Sequence, residues 1–287
     1  MKYCIGDTVV CINVEEQNLH SNFQAFRCDE SEEPQLTIDI VEEPEMTMNI
    51  QMTVGQIMLM ESEEISVFEG AMGIDLLYPK NVQLTSIAIA KGYRSAKVYV
   101  VQDAEGKWKE ELFLALRDVI YLALEQNGRF VLDSSSLLVD GRGVILAADP
   151  NAEFARICQG KQIGKILNDS ANIIGIYKER LYLYGTPWCS PEAVQAERAP
   201  LGGIVFLKKS DAGAVTDLPE DKRQLLMLVH CKSPFWREGL LDQCLNTIQR
   251  VEPSVWIRQL ESHADEAAAD VLKPALDTIE NDTVAEY

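Results

Sequence analysis

Apolar and polar positions alternate with period two along VVCINV, QLTIDIV and MTMNIQM near the start of the chain, and again along ISVF, VQLTSIAIA and AKVYVVQD. Alternation of that kind predicts strands with one face buried and one face towards water. Between the runs lie DESEEP and EEPE, where proline and like charges favour solvated loops. The expectation is an N-terminal β-rich region over residues 1–105.

After DAEGKW the period lengthens. KEELFLALRDVIYLALEQNG sets Leu112, Leu116, Val119, Ile120, Ala123 and Leu124 on one helical face, and Gly128 follows as a C-terminal cap. FVLDSSSLLV and GVILAA then read as two apolar strands joined by DGRG, whose Asp140 and Gly141 suit a tight hairpin turn. Asp149 and Pro150 have the form of an N-cap and first residue of a helix running towards Gly160. KILND ends a short apolar segment, ANIIGIYKERLYLYGTPWCS reads as a hairpin turning around KER, and LGGIVFLK is a further strand. DLPEDKRQLLMLVH and FWREGLLDQCLNTIQRV have helical periodicity, with Leu225, Leu226, Leu240, Leu241, Leu245 and Ile248 as core candidates and Pro253 breaking the second. The acidic, alanine-rich end, interrupted by Pro274, is expected to form a peripheral helix and a frayed tail. The pattern is that of a mixed α/β (α+β) chain whose residues 106–287 form an α/β core with an acidic helical tail.

Composition narrows the function classes. Of 287 residues 47% are hydrophobic, enough for a substantial core, and 26 basic against 45 acidic residues give a formal charge of −19. Such a balance repels phosphate backbones and anionic membranes, so nucleic acid and membrane surfaces are poor partners. With neither a signal-peptide pattern nor a bilayer-length apolar run, a soluble, cytoplasmic protein is expected. Seven scattered cysteines, at 4, 11, 28, 158, 189, 231 and 244, include no CxxC pair and are read as reduced thiols. His230 and Cys231 are neighbours in sequence, which does not aim them at one site.

The pieces together resemble the HPr kinase/phosphorylase and phosphoenolpyruvate-carboxykinase-like group of P-loop proteins. The resemblance begins at LDSSSLLVDGRGVIL, similar to the hairpin before that group's phosphate loop, although Asp133, Ser134 and Ser135 stand where a His-Ala-Ser or His-Gly-Ser run is usual. It continues at ILNDS, similar to a segment with paired metal-binding aspartates, and is most specific in YLYGTPWCS, where Gly185, Thr186, Pro187 and Trp188 match a run of the smaller members. LGGIVFLKK and the two helices after it keep the order. The match spans roughly the last two thirds of the chain.

The resemblance implies a P-loop-type core, and the departures imply a degenerate loop. A working GxxGxGK run followed by Ser or Thr needs glycines to curl backbone amides around phosphate, a lysine for charge and a hydroxyl for magnesium. Aligned without gaps, Ala148, Asn151 and Glu153 occupy the glycine positions, Phe154 the lysine and Ala155 the hydroxyl, with Asp149, Pro150 and Ala152 between them. Asp149 and Glu153 would set carboxylates beside a polyphosphate. Asp169 aligns with the first aspartate and Ser170 with the second, leaving Asp169 a weak metal candidate whose plainer role is a cap or turn. Arg156, Lys161 and Lys165 are the nearest cations, at spacing ordinary for a solvated face.

Two functions follow. The first is a non-catalytic HPr kinase-like module, a pseudoenzyme without cofactor, that binds an unidentified protein, peptide or small ligand; homo-oligomerisation stays open. The second is an atypical phosphotransferase using Mg-ATP or Mg-GTP on a protein serine or small molecule. A purely structural subunit is a third, weaker reading.

Overall fold

The computed structural model describes residues 1–43, 55–147, 151–232, 238–251, 253 and 255–279. MTMNIQM, Ala148, Asp149 and Pro150 lie outside the described residues. The chain forms two compact units, one of Met1–Arg129 with Ser233–Gln243 and one of Phe130–Lys232 with Cys244–Tyr287.

In the first unit, β1 (Lys2–Ile5), β2 (Thr8–Asn13), β3 (Leu36–Glu43), β4 (Ile57–Glu61), β5 (Ser66–Gly70), β6 (Gly73–Leu77), β7 (Leu84–Ala90) and β8 (Ser95–Val101) make one eight-stranded sheet in the order β1-β2-β3-β8-β7-β6-β5-β4. β3 runs parallel to both β2 and β8, and the remaining pairs are antiparallel. Period two is visible in the burial of β7 and β8, where Ile87, Ile89, Ala96, Val98 and Val100 are buried and their neighbours are not. β1, β4 and β6 lie outside the alternating runs of the sequence.

Helix α1 (Trp108–Gln126) buries the expected Leu112, Leu116, Val119, Ile120, Ala123 and Leu124. Each such leucine contributes about 1.5–3 kcal/mol by leaving water. The helix ends in a Schellman arrangement: Gly128 takes φ +70°, its N–H donates to Glu125 O at 2.9 Å, and Arg129 N–H donates to Leu124 O at 3.1 Å.

The second unit holds β9 (Phe130–Asp133), β10 (Ser135–Val139), β11 (Arg142–Ala147), α2 (Asn151–Gly160), β12 (Lys165–Asn168), β13 (Ala171–Tyr177), β14 (Arg180–Tyr184), β15 (Arg198–Lys208), β16 (Ala214–Asp217) and α3 (Glu220–His230). α4 (Glu238–Val251) begins in the stretch belonging to the first unit, and β17 (Trp256–Glu261) and α5 (Glu266–Leu276) complete the second. The strands form a mixed sheet in the order β12-β10-β11-β15-β14-β13-β9, with β17 beside β15 and β16 beside β17. β15 has three neighbours along its length. Its first residues pair with β14, and from Leu201 onwards it runs parallel to β11 and, from Gly203, to β17.

Several expectations change here. FVLDSSSLLV is two strands, because the chain breaks at Ser134: β9 pairs with β13 while β10 pairs with β11 and β12. Leu225 is 59% exposed, and the buried residue of α3 is Met227. α5 is a core helix, with Ala268, Ala269, Leu272 and Leu276 buried, since alanines let it pack closely on its neighbours. The turns agree with the sequence: Asp140 and Gly141 have φ +49° and +79°, and Lys178 and Glu179 have φ +47° and +64°, the two-residue geometry that suits a right-twisted hairpin. Among the described residues no helix is long and apolar enough to cross a membrane.

Candidate functional site

The second unit places many polar side chains where its strands would otherwise be apolar. Ser134, Ser135, Ser136, Asn168, Asp169, Asn172 and Thr186 are all buried. A buried polar group costs free energy unless its hydrogen bonds are made, so what these groups bond to decides what they can do.

Five of them bond within two groups, Ser134 with Ser136 and Asn172, and Asn168 with Thr186, while Ser135 Oγ donates to Leu146 O. Ser136 Oγ donates to Asn172 Oδ1 at 2.6 Å, and Asn172 Nδ2 donates to Ser134 O at 2.6 Å and Ser134 Oγ at 3.0 Å. Ser134 Oγ donates in turn to Leu132 O. At the β12–β13 turn, Asn168 Oδ1 accepts from Ser170 N and Ala171 N, both at 3.0 Å, while its Nδ2 donates to Thr186 O and Oγ1 at 3.2 Å. Thr186 Oγ1 donates to Ala171 O at 3.0 Å. The two asparagines thus fasten three chain segments that strand pairing alone leaves with a break.

The Gly185–Trp188 run closes this network from the end of β14. Gly185 N–H donates to Glu197 O at 3.0 Å, and a Cβ on Gly185 would stand 1.9 Å from Gln195 O, so only glycine admits that backbone approach. Thr186, Pro187 and Trp188 are buried. The next residue, Cys189, has its thiol pushed up to about 12, first by burial and then by the negative charge of Asp169, which keeps it protonated and a poor nucleophile.

Asp169 sits beside that run with its side chain 4% exposed. Its Oδ1 accepts from Ser190 N at 2.9 Å, and its Oδ2 accepts from Ser190 Oγ at 2.6 Å and Arg156 Nη2 at 3.0 Å. This donor set suits a carboxylate anchor and does not suit magnesium, because a cation would have to displace a guanidinium and two hydrogen-bond donors. Among the described residues no cluster of three or more His, Cys, Asp or Glu is placed to hold a metal ion. Asp133, at the start of the serine run, faces Lys232 at 3.0 Å.

On α2, Phe154 and Ala155 have no exposed surface and join Leu137, Val144, Leu146 and Cys158 in an apolar cluster. Glu153 is exposed and Ala152 partly so. The nearby cations are engaged: Lys161 Nζ meets both carboxylate oxygens of Asp270 at 2.8 Å, and Lys165 stands 4.0 Å from Glu197. Hydrogen bonding to Asp270 holds the Lys161 ammonium above its ordinary value.

The sequence reading singled out Asp169, the Gly185–Trp188 run and Arg156, and the structure brings all of them to one locality. It did not single out Asn168, Asn172, Ser136 or Ser190. The available signal was an asparagine inside the apolar run ANIIGIY, a residue that strands bury only when it is fully bonded.

No family model matches the chain, and no curated protein does. Among solved structures, the chain is similar to the HPr(Ser) kinase/phosphatase from Coxiella burnetii at 11% identity and a TM-score of 0.25, over 43% of this chain and 92% of that one. A likeness of that strength does not bear on fold or chemistry.

Proposed function

We propose that the chain is a non-catalytic binding or regulatory module on an HPr kinase-like α/β core, with no productive ATP or GTP binding at residues 148–156. The resemblance of LDSSSLLVDGRGVIL, ILNDS and YLYGTPWCS to that group supports the core. One observation carries the functional half: Phe154 and Ala155, at the positions of the phosphate-binding lysine and the magnesium-binding hydroxyl, are wholly buried in apolar packing. Phosphoryl transfer depends on positioned cations and metal. Here Arg156 holds Asp169, the residue aligned with the first metal aspartate, so two groups that a phosphotransferase would turn towards ligand neutralise each other.

The test is calorimetric titration of the full chain with ATP and with GTP, each with magnesium, alongside the Arg156→Ala and Glu153→Ala variants. Heats no stronger than millimolar, unchanged in both variants, are the expected result. Micromolar, magnesium-dependent binding overturns the reading and favours the atypical phosphotransferase, whose serine-peptide kinase activity would then be measured.

A further inference from the structure

Two of the seven cysteines, 13 positions apart in sequence, meet in the core of the second unit. Cys231 follows α3 as its C-cap and Cys244 lies on α4. Their Sγ atoms are 3.1 Å apart. A disulfide needs about 2.05 Å, so roughly an ångström of side-chain motion separates contact from bond. We infer that Cys231 and Cys244 are a redox-active dithiol, a modification site that closes reversibly to a disulfide when a low-molecular-weight disulfide such as oxidised glutathione is the oxidant.

Three observations support closure at this pair. The backbone at Cys231 is fixed: its N–H donates to Leu228 O at 3.1 Å, Lys232 N–H donates to Val131 O at 2.8 Å, and Cys231 makes an antiparallel bridge with Leu132. The partner is fixed too, since Cys244 shares its apolar cluster with Ile248 and Val251 of the same helix. Both thiols lie in the second unit at the two ends of the stretch Ser233–Gln243, so the bond would tie together the points where the chain leaves that unit and returns to it.

Cys231, 7% exposed as a residue against 3% for Cys244, is assigned the first attack. Its thiolate attacks one sulfur of oxidised glutathione, breaking that S–S bond, releasing one glutathione thiolate and leaving a mixed disulfide. Cys244 thiolate then attacks Cys231 Sγ and releases the second glutathione. Two protein thiols lose two protons and two electrons, and one glutathione disulfide becomes two glutathione thiols.

The full-length chain is incubated in a series of glutathione redox buffers, quenched with acid, alkylated under denaturing conditions and digested with trypsin without reductant. The expected product joins the peptides 224–232 and 238–250 through one disulfide that reductant separates, with the alkylatable thiols falling from seven to five. Cys231→Ser and Cys244→Ser each remove that product. Retention of all seven thiols in oxidising buffer overturns the inference, as does stable glutathionylation of Cys231 or crosslinking between any other cysteines. Because the wild-type peptide map decides the question, misfolding of a serine variant does not rescue it.

Discussion

The two units bury polar side chains in different amounts and to different ends. In the first, the buried polar residues among those described are Thr8, Asn22, Thr85 and Glu125, scattered around a sheet whose strands alternate. In the second they concentrate: Ser134, Ser136 and Asn172 bond to one another, and Asn168 bonds to Thr186, joining three chain segments. An alternating sheet is specified by which face is greasy, and many substitutions keep that. A closed polar network is specified by each partner's donors and acceptors, so losing one member strands the rest. The second unit should therefore tolerate local change less well.

The largest effect is expected at glycines. Gly92 in the first unit has φ +89° and open space around its missing Cβ, so Gly92→Ala costs about 1 kcal/mol of backbone strain. Gly185→Ala sets a methyl 1.9 Å from Gln195 O, and the forced backbone shift costs roughly 3 kcal/mol or more. Chemical denaturation followed by tryptophan emission, with Trp108 buried in the first unit and Trp188 in the second, measures both. Equal losses at the two glycines would mean that the Gly185 bend relaxes, and the contrast between the units would fail there.

Next come paired deletions of buried hydrogen-bonding side chains. Thr85 Oγ1 contacts Glu43 Oε2 at 3.1 Å and Tyr99 O at 3.2 Å, and Thr85→Ala costs about 1 kcal/mol. Asn172→Ala removes the acceptor of Ser136 Oγ and the donor to Ser134, inside a region with no exposure, and costs about 2–3 kcal/mol. The double variant Asn172→Ala with Ser136→Ala should recover part of that loss, because the orphaned hydroxyl is removed as well. Strict additivity would show that the network is a set of independent bonds.

The same contrast explains what could be read in the sequence. In the first unit the period-two runs and the heptad-like face of α1 name their own burial, because each signal is local; the buried set of α1 contains all six residues expected. Local signals mislead where they saturate. QLLMLV offers five apolar residues in succession, and pattern cannot say that Met227 turns inward while Leu225 and Val229 are 59% and 68% exposed. They also fail where small residues pack: Ala268 and Ala269 read as surface and are wholly buried. The candidate site was legible as a set of unusual residues and illegible as a network, since the Ser136–Asn172 bond spans 36 positions and no spacing rule connects them. The short β17 was missed beside Pro253, although WIRQLE supplies the parallel neighbour of β15.

The smallest effect expected lies back in the first unit, and its size depends on pH. Asp75 on β6 is half-buried, and burial raises its carboxyl above the ordinary 3.8, with the Gln56 amide at 2.7 Å opposing that shift. A folded value above the unfolded one means that the native state holds the proton more tightly. The associated stability is complete below the unfolded value and is lost as pH rises through the folded one, so at neutral pH the ionised Asp75 is a net cost. Asp75→Asn keeps an acceptor for Gln56 and removes the charge. Its gain at neutral pH should be only a few tenths of a kcal/mol, since solvent screens a half-exposed group, and it should vanish as pH falls below the carboxylate range. Denaturation midpoints of both proteins across acid to neutral pH test this: a gain that persists in acid would assign the effect to packing, and would remove charge burial as a feature that the first unit tolerates at low cost.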